Sequence, residues 1–500
     1  MYDLAVLGGG SGGLSVARAA AQIGAKVALI EKHHLGGECT LSACVPSKAL
    51  VQAARVAHLV RTSDRFGVKT APADVDFAAV MNRIRAVVAD FAGDGSGESL
   101  RARGIDVYRG SAAFTAYDTV LFDGKTRIEA ERFVIATGSR PAIPHIPGLA
   151  DVGYLTNVSV WELTERPSTL IVLGAGPNGV EFAQAFARLG VHVKLLADSD
   201  RILPGEDPEV SELVRSHLDA EGLVVKTGVE LTRVFLRDGQ KVVAFRDRVT
   251  KDTFEAAGTH ILVSTGRLPN IEGLNLDVVG VHADPEHGIH VDEHLQTNAN
   301  RIYAIGDVLH RHDFTHAAER EAAVVFQNAV LRIPKKVDYT ALPWATFVDP
   351  EVATVGLTES VAKERHPDAL VLRARYDELD RARIDGRTEG FAKVVATPAG
   401  KVLGATVVGE DASMVLQEFV VAMEHGLTLA DIARTVHTYP TYAGLARKVA
   451  NQYSATRLGG GFVQSALKWF LGYRPRPDAA GEAARMTQAA TTEEGSGHGH

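Results

Sequence analysis

Two copies of a glycine-rich turn constrain this chain more than any other feature of its sequence. The first lies in LAVLGGGSGGLSVARAAAQIGAKVALIEK at residues 4–32, and the second in LIVLGAGPNGVEFAQAFARLGVHVKLLADSD at residues 170–200. In each copy an apolar, strand-like run precedes the pattern G-x-G-x-x-G, and an Ala-rich run of helical composition follows it. The glycines of the two patterns are Gly8, Gly10, Gly13, Gly174, Gly176 and Gly179. The duplication predicts two α/β units, each built as strand, tight turn, helix and strand.

The chemistry of such a turn points to a ligand with a diphosphate. Glycines allow the tight turn, the close approach of backbone N–H groups to a pyrophosphate and close helix–strand packing, while the helix N-terminus faces the phosphates. In the first copy Glu31 stands 18 residues after Gly13, where a carboxylate can meet a ribose. One such motif is weak evidence, because it also fits an ordinary turn between a strand and a helix. Two copies predict two dinucleotide sites.

A second repeated element closes each unit. Residues 133–141 are FVIATGSRP and residues 261–269 are ILVSTGRLP, each an apolar strand ending in Thr-Gly. Such a turn lets the backbone approach a cofactor, although a strand and turn before proline would look the same. The candidate cofactor-binding residues here are Thr137, Gly138, Gly266 and Arg267. The later strand IYAIGD at 302–307 indicates that the first domain resumes after an inserted second one.

Composition excludes several classes of protein. Lys and Arg number 53 and Asp and Glu 61, a formal charge of −8, which argues against a nucleic-acid partner. The 46% of hydrophobic residues is typical of a folded globular chain. No apolar run approaches the roughly 18 residues needed to span a bilayer, and the chain enters its first strand almost at once. The expected location is therefore the cytoplasm.

The chain has two cysteines, Cys39 and Cys44, which excludes a disulfide-stapled scaffold and a Cys-rich zinc site. The segment from Pro46 onward is helical in composition, so both thiols are expected at or near a helix N-terminus, which favours the thiolate. Five helical residues would separate the Cα atoms by about 7.5 Å, beyond the roughly 6.8 Å that a disulfide usually tolerates. A bridge therefore requires a distorted first turn, which Pro46 would help to accommodate. The alternative is two buried, inert thiols.

Taken together, these motifs resemble one family. GGECTLSACVPSK at residues 36–48, the two G-x-G-x-x-G units, ATG, STGR and AIGD occur in the order found in the FAD-dependent pyridine nucleotide–disulfide oxidoreductases. The resemblance covers about residues 2–455. It implies an α/β fold with two nested Rossmann-like dinucleotide-binding domains plus an α+β C-terminal dimerisation domain. The implied limits are 1–150 and 271–338 for FAD, 151–270 for NAD(P), 339–461 for dimerisation, and 462–500 for a short amphipathic helix and disordered tail.

The resemblance also implies roles for individual residues. Cys44 would lie against the flavin while Cys39 exchanges with the substrate, and Lys48 and Glu181 would form an ion pair beside the flavin. Without the resemblance, Lys48 and Glu181 are equally well two unrelated surface charges. The remaining implied contacts to FAD are Gly37, Asp307, which would bind the ribityl chain, and His316 near the flavin. Asp307 also fits a helix N-cap. No metal site is assigned to His310, His312 and His316, because no cysteine accompanies them.

The second unit gives a partial indication of whether NADH or NADPH is preferred. The position that matches Glu31 is Ala197, so the usual ribose-binding carboxylate is missing, but Asp198 stands beside it. No arginine occupies positions 197–199, and Asp198 would repel a 2′-phosphate. We therefore expect NADH, with NADPH as the alternative.

The C-terminal segment departs from the family pattern. Dithiol reductases of this family carry a His-Pro element with a Glu five residues after the His, and the dyad, supplied across the dimer, is their acid and base. Here Tyr439 precedes Pro440 and Gly444 replaces the carboxylate. A tyrosine with an ordinary pKa near 10 is a poor base at neutral pH. His437 has no evident orienting carboxylate in the sequence and is expected to pack at the dimer interface instead of acting in catalysis.

These departures set the expected reaction. The chain resembles the mercuric reductase branch, which lacks the dyad, and a thiolate pair suits soft metal ions; however, no cysteine follows Cys44 to match that branch's C-terminal pair. We expect a homodimer that passes electrons from NAD(P)H through FAD to the Cys39–Cys44 disulfide and on to a small acceptor, foremost a soft metal ion. The alternatives are dihydrolipoamide dehydrogenase-type dithiol chemistry and a slow, redox-sensing flavoprotein.

The final forty residues are a separate feature. Apolar residues recur at helical spacing over 462–473, with basic residues nearby, so this segment could touch a membrane surface. Packing against its own domain is the favoured alternative. From Pro477 the composition is typical of disorder.

Overall fold

A computed structural model describes residues 1–71, 74–94, 97–458 and 470–471 of this 500-residue chain. The predicted amphipathic helix at 462–473 lies outside the described residues apart from Phe470 and Leu471, which are exposed, and so does the predicted disordered tail. No helix in the described part is long and apolar enough to cross a membrane.

The first part of the chain begins with the predicted strand–turn–helix–strand unit. In order, its elements are β1 (Leu4–Leu7), α1 (Ser11–Gln22), β2 (Val27–Glu31), α2 (Gly37–Leu41), α3 (Cys44–Arg61), α4 (Phe77–Asp94), α5 (Gly97–Ala102), β3 (Ile105–Arg109), β4 (Ala112–Ala116), β5 (Thr119–Phe122), β6 (Thr126–Glu129), β7 (Phe133–Ile135) and β8 (Ser139–Pro141).

The middle part repeats the unit. Its elements are α6 (Leu149–Val152), β9 (Thr169–Leu173), α7 (Pro177–Arg188), β10 (His192–Leu196), α8 (Pro208–Ala220), β11 (Val224–Lys226), β12 (Val229–Arg237), β13 (Gln240–Asp247), β14 (Thr253–Gly258), β15 (His260–Val263), β16 (Arg267–Pro269), β17 (Ala283–Asp284), β18 (Gly288–Ile289), β19 (Ile302–Ala304) and α9 (Thr315–Val325).

The last part is α+β. Its elements are β20 (Pro343–Thr346), β21 (Glu351–Gly356), α10 (Glu359–Arg365), β22 (Leu370–Arg375), α11 (Asp380–Asp385), β23 (Phe391–Ala396), β24 (Val402–Gly409), α12 (Ala412–His425), α13 (Leu429–Arg434) and α14 (Gly444–Leu458).

Each glycine motif lies at the end of an inner strand of a parallel sheet. The first sheet has the order β19-β7-β1-β2-β3 and the second β11-β10-β9-β15. All of β1, and β9 after Thr169, are buried apolar runs, as parallel strands covered on both faces require. Since β19 pairs with β7, the chain returns to its first sheet after the second one is complete, as AIGD predicted. The exact domain limits stay predictions.

A short ribbon joins the two units, and a separate sheet builds the C-terminal part. The strands that follow the two Thr-Gly turns, β8 and β16, pair with each other in antiparallel register. The turns of the two sites are therefore held side by side. The C-terminal sheet is antiparallel, with the order β20-β21-β24-β23-β22, and α12 packs against its buried face.

Candidate active site

The first glycine motif has two glycines fixed by packing and one that faces open space. Gly8 has a φ of +112°, and a Cβ on it would lie 2.1 Å from the carbonyl oxygen of Ala136. A Cβ on Gly13 would lie 2.0 Å from the carbonyl oxygen of Gly8. By contrast, a Cβ on Gly10 would meet only the Cα of Gly37, at 3.8 Å. The loop therefore keeps room for a ligand above its second glycine, where a diphosphate is expected.

Gly37 packs directly against Gly10 beside this space. Its φ is +66°, and a Cβ there would lie 2.6 Å from the Cα of Gly10. No side chain fits between the two backbones, so the glycine is required at this position.

The second motif repeats the arrangement. A Cβ on Gly174, whose φ is +103°, would lie 2.2 Å from the carbonyl oxygen of Ser264. One on Gly179 would lie 2.1 Å from the carbonyl oxygen of Gly174, and one on Gly176 would meet nothing within 4 Å. Both glycine-rich loops, which are the two nucleotide cradles of the chain, thus have the steric pattern of a dinucleotide site.

The Thr-Gly turns are braced by side-chain hydrogen bonds. The Thr137 hydroxyl donates to the carbonyl oxygen of Asn270 at 2.7 Å, and Gly138 has a φ of +69°. In the second turn Gly266 has a φ of +125°. Both glycines need the left-handed conformation that side chains disfavour.

The carboxylates expected at the ribose positions differ in their surroundings. Glu31 accepts hydrogen bonds from the backbone N–H groups of Gly9 at 2.6 Å and His33 at 2.7 Å, so its carboxylate is fixed at the rim of the first cradle. The side chain of Asp198 is 79% exposed at the end of β10. The guanidinium of Arg248, from the β13–β14 turn, lies 4.0 Å from it. No motif or spacing predicted an arginine at this position.

The two cysteines lie on different helices. Cys39 is in α2, whereas Cys44 is the first residue of α3, and the chain breaks helical geometry between them at Ala43, with φ −120° and ψ −96°. The break, and not a distortion at Pro46, separates the two helices. Both thiols are free and hydrogen-bonded to each other.

The pair is electrostatically asymmetric. The pKa of the Cys44 thiol is lowered to about 6 by the hydrogen bond from Cys39 and, to a smaller extent, by the hydrogen bond from Thr315 and the charge of Lys48. Burial of the thiol opposes this shift. The hydrogen bond to Cys44 and burial raise the pKa of Cys39 above its ordinary value. The first proton is therefore lost from Cys44, the residue at the helix N-terminus.

Lys48 and Glu181 form the ion pair that the resemblance implies, with the Lys48 Nζ 2.9 Å from a Glu181 carboxylate oxygen. The Glu181 side chain is 4% exposed, so the alternative of two unrelated surface charges is wrong. The second Glu181 oxygen accepts the backbone N–H of Phe347 at 2.8 Å, and Lys48 lies 4.5 Å above the Phe347 ring. The pair thus ties α3, α7 and the segment after β20 together.

A relay of polar groups links the cysteine segment to Asp307. The guanidinium of Arg267 pairs with Glu38, the residue before Cys39, and donates to the Ser139 hydroxyl at 2.8 Å. Ser139 in turn donates to Asp307 at 2.6 Å. The N-cap interpretation of Asp307 is wrong, because the short helix there is capped by Ile305. Arg267 is held by protein groups, which the sequence did not predict.

The three histidines near α9 have separate partners. His316 is exposed and its Nε2 lies 2.6 Å from the carbonyl oxygen of Pro343, His312 packs on the Tyr339 ring, and His310 lies 3.4 Å from Asp313. Burial, together with the charge of Asp307, raises the pKa of Asp313 to about 6.

Tyr439 and His437 lie at a cavity in the C-terminal part of the chain, which is lined entirely by residues between 379 and 451. The Tyr439 hydroxyl donates to Asp380 at 3.0 Å, and this hydrogen bond raises the pKa of Tyr439. The expectation that His437 lacks a carboxylate is wrong: its Nε2 is 2.9 Å from both oxygens of Glu418, and its Nδ1 is 3.0 Å from the carbonyl oxygen of Thr435. Both ring nitrogens are engaged within the domain.

Two nucleotide cradles on parallel sheets, with a cysteine pair at a helix N-terminus, are the features of a nucleotide-dependent oxidoreductase with a reactive cysteine pair. Comparison with known proteins makes the assignment specific. Residues 2–322 match the model for the pyridine nucleotide-disulphide oxidoreductases, and residues 342–449 match that family's dimerisation domain. The chain belongs to this family.

Individual relatives are of several kinds. The chain is 35% identical to the mercuric reductase of Streptomyces lividans over 460 residues, which covers 91% of this chain and 96% of that protein. It is 33% identical to a dihydrolipoyl dehydrogenase of Bacillus subtilis (strain 168) over 454 residues, 90% of this chain and 95% of that one. Among solved structures, the HOCl-induced flavoprotein disulfide reductase RclA of Escherichia coli is similar, with a TM-score of 0.81 and 26% identity over 90% of this chain and 99% of the other.

These findings establish the general activity. The protein is an FAD-dependent oxidoreductase of the class that uses FAD and NAD(P)H, and its C-terminal part is a dimerisation domain.

Proposed function

We propose that this protein works as a homodimer that uses NADH to reduce a soft metal ion carried as a thiolate complex. The observation that carries the proposal is the combination of an intact cysteine pair with the Tyr439–Asp380 hydrogen bond in place of a His-Glu dyad. A thiolate pair is the ligand type that soft metal ions prefer.

The residues around the first cradle fit FAD. The loop from Gly8 to Gly13 and Gly37 would hold the diphosphate, Glu31 the ribose, and Asp307 the ribityl chain. When bound, FAD supplies the two-electron relay between the nicotinamide and the cysteine pair. Lys48 would provide a cation beside the flavin, and Glu181 orients Lys48 through their ion pair.

The cysteine pair would deliver electrons to the metal. Cys44, with its lowered pKa, is a thiolate at neutral pH, and Cys39 keeps its proton until a metal displaces it. The overall reaction is NADH + H⁺ + M(SR)₂ → NAD⁺ + M⁰ + 2 RSH, in which NADH gives up two electrons and the metal ion accepts them. The released thiolates take up the two protons.

The C-terminal cavity argues against efficient dithiol chemistry. Asp380 holds Tyr439 in its protonated form, so the phenol cannot accept a proton from a thiol at neutral pH. His437 cannot replace it while both of its nitrogens face oxygen atoms of its own domain. A dihydrolipoamide dehydrogenase activity would lack a base.

The nucleotide preference is part of the proposal. Asp198 would accept the ribose hydroxyls of NADH and repel a 2′-phosphate, but Arg248 at 4.0 Å reduces this repulsion. We therefore propose NADH as the better donor, with NADPH also accepted. We also propose that the reaction takes place in the cytoplasm, where thiols stay reduced.

The test is NADH consumption by the purified, FAD-loaded dimer with a thiol-complexed Hg(II) salt and, separately, with lipoamide. Cys39→Ser is the control in both assays. We expect cysteine-dependent turnover with the metal complex and little with lipoamide. Efficient cysteine-dependent turnover with lipoamide alone would show that the assignment of Tyr439 is wrong.

A further inference from the structure

The cavity beside Tyr439 (the Tyr439 cavity) has a volume of about 210 Å³ and is lined by three elements of the C-terminal domain. Its walls come from α11, the loop that carries His437 and Tyr439, and the first turns of α14. The charged residues among its lining are Asp380, Arg381, Arg447 and Lys448.

The charges of this cavity do not balance. Arg381 is paired with Asp385 at 2.6 Å, and Asp380 accepts the Tyr439 hydroxyl. Arg447 and Lys448 have no carboxylate within 4.0 Å in the described part of the chain, although both line the cavity. Two cations are therefore left without a partner at one wall.

Their surroundings leave these cations available to a ligand. Arg447 is exposed and Lys448 is half-buried, and both follow the first turn of α14. An unpaired cation at the wall of a cavity attracts an anion, and the attraction is stronger where the group is partly shielded from water.

We propose that the Tyr439 cavity binds the carboxylate groups of an anionic thiol ligand, so that the preferred acceptor is a metal ion carried by carboxylate-bearing thiols. Arg447 offers a planar fork that matches a carboxylate, and Lys448 adds a second charge. The proposal rests on the function proposed above and on a dimer in which this cavity faces the partner's cysteine pair.

The proposal accounts for how such an enzyme could hold its substrate with no cysteine after Cys44. The thiol ligands of the metal, and not the metal itself, would supply the affinity. The metal then passes to the cysteine pair by exchange of one thiolate for another: a bond from the metal to the Cys39 sulfur forms as a bond to one carrier thiolate breaks, and that thiolate leaves with the proton of Cys39.

The test compares three Hg(II) bis-thiolate complexes that differ in charge: those of 3-mercaptopropionate, 2-mercaptoethanol and cysteamine. With the FAD-loaded dimer, kcat/KM should be about 10-fold higher for the 3-mercaptopropionate complex than for the cysteamine complex, and the preference should shrink as salt is added. Lys448→Met and Arg447→Gln should each remove most of this preference, chiefly through KM. Lys401→Met, which changes an exposed lysine outside the cavity, should keep it.

Equal kcat/KM values for the three complexes, or an equal preference in Lys448→Met and wild type, would overturn the proposal. A separate binding measurement distinguishes its failure from that of the proposed function. Calorimetric titration of the Cys39→Ser, Cys44→Ser dimer, which has no thiol to react with a disulfide, should detect 3,3′-dithiodipropionate binding at least about 10-fold tighter than cystamine binding, and Lys448→Met should abolish the difference. If no metal complex is reduced but this difference is present, the metal-reductase function fails and the anion site stands. If the difference is absent, the anion site fails.

Discussion

The Thr315 hydroxyl lies 3.5 Å from the Cys44 sulfur, across 271 residues of sequence. Thr315 is the first residue of α9, whereas Cys44 begins α3, so two helix N-termini meet at this sulfur. A hydroxyl that donates to a thiolate stabilises the charged form. Thr315 therefore positions and polarises the cysteine from outside its own helix.

Replacing Thr315 with Val should raise the pKa of Cys44 by about 1, because one hydrogen bond to a charged group is lost. Ultraviolet absorbance of the thiolate, titrated against pH in the reduced protein, measures this change. In the wild type the thiolate should form around pH 6. Thr315→Ser keeps the hydroxyl and should titrate as the wild type does. An unchanged titration in Thr315→Val would mean that the hydroxyl does not donate to the sulfur.

Glu181→Gln should destabilise the protein and slow flavin reduction. The change leaves Lys48 without its buried counter-charge, at a cost of about 1–3 kcal/mol because Lys48 is 35% exposed and partly solvated. Urea unfolding and stopped-flow reduction by NADH are the two measurements. Glu272→Gln is the matched control, since it breaks an exposed pair with Arg140 and should cost at most about 1 kcal/mol. Equal losses in the two variants would argue against a special role for Glu181.

Much of this architecture could be predicted from the sequence, because the responsible signals are local. The glycine spacings reflect a steric requirement, because a Cβ on the first or third glycine of either motif would lie 2.0–2.2 Å from a backbone carbonyl oxygen. The pairing of Lys48 with Glu181 was also within reach, since each stands at a fixed offset from a motif.

The contacts that were missed lie far apart in sequence and belong to no motif. Glu418 is on α12 and meets His437 only because the loop folds back onto that helix. Arg248 reaches Asp198 from a hairpin turn 50 residues later. Such pairs depend on how the helices and strands pack against each other, and no periodicity or motif spacing in the sequence predicts that packing.

Asp198→Ala should shift the nucleotide preference toward NADPH. With the carboxylate removed, Arg248 would face the 2′-phosphate without a competing negative charge, and the ratio of kcat/KM for NADPH to that for NADH should rise about 10-fold. Steady-state kinetics with both nucleotides provide the ratio. Asp200→Ala, another exposed carboxylate in the same loop, is the control. A ratio that stays constant in Asp198→Ala would place the ribose elsewhere.

Glu418→Ala should lower stability without changing the pH dependence of turnover. The Glu418 carboxylate accepts a hydrogen bond from the ring Nε2 of His437, whose side chain is 7% exposed. Removing the carboxylate leaves this buried donor unsatisfied, at a cost of about 1–3 kcal/mol. Thermal unfolding measures the first effect and a pH–rate profile the second. A new ionisation in the profile of Glu418→Ala would instead identify His437 as an acid–base group of the reaction.

The double variant Tyr439→His, Gly444→Glu should gain dithiol chemistry. It installs the His and Glu of the family's dithiol reductases at their usual spacing. A Cβ at Gly444 would lie 3.1 Å from the Leu379 side chain, so the new Glu needs only a small shift of one flexible group. Cysteine-dependent turnover of lipoamide should rise at least about 10-fold, within the range of general base catalysis. Tyr439→Phe, which removes the hydroxyl that Asp380 binds but supplies no base, should show no gain. If the double variant folds as a dimer and still leaves lipoamide unreduced, the missing dyad is not what excludes dithiols.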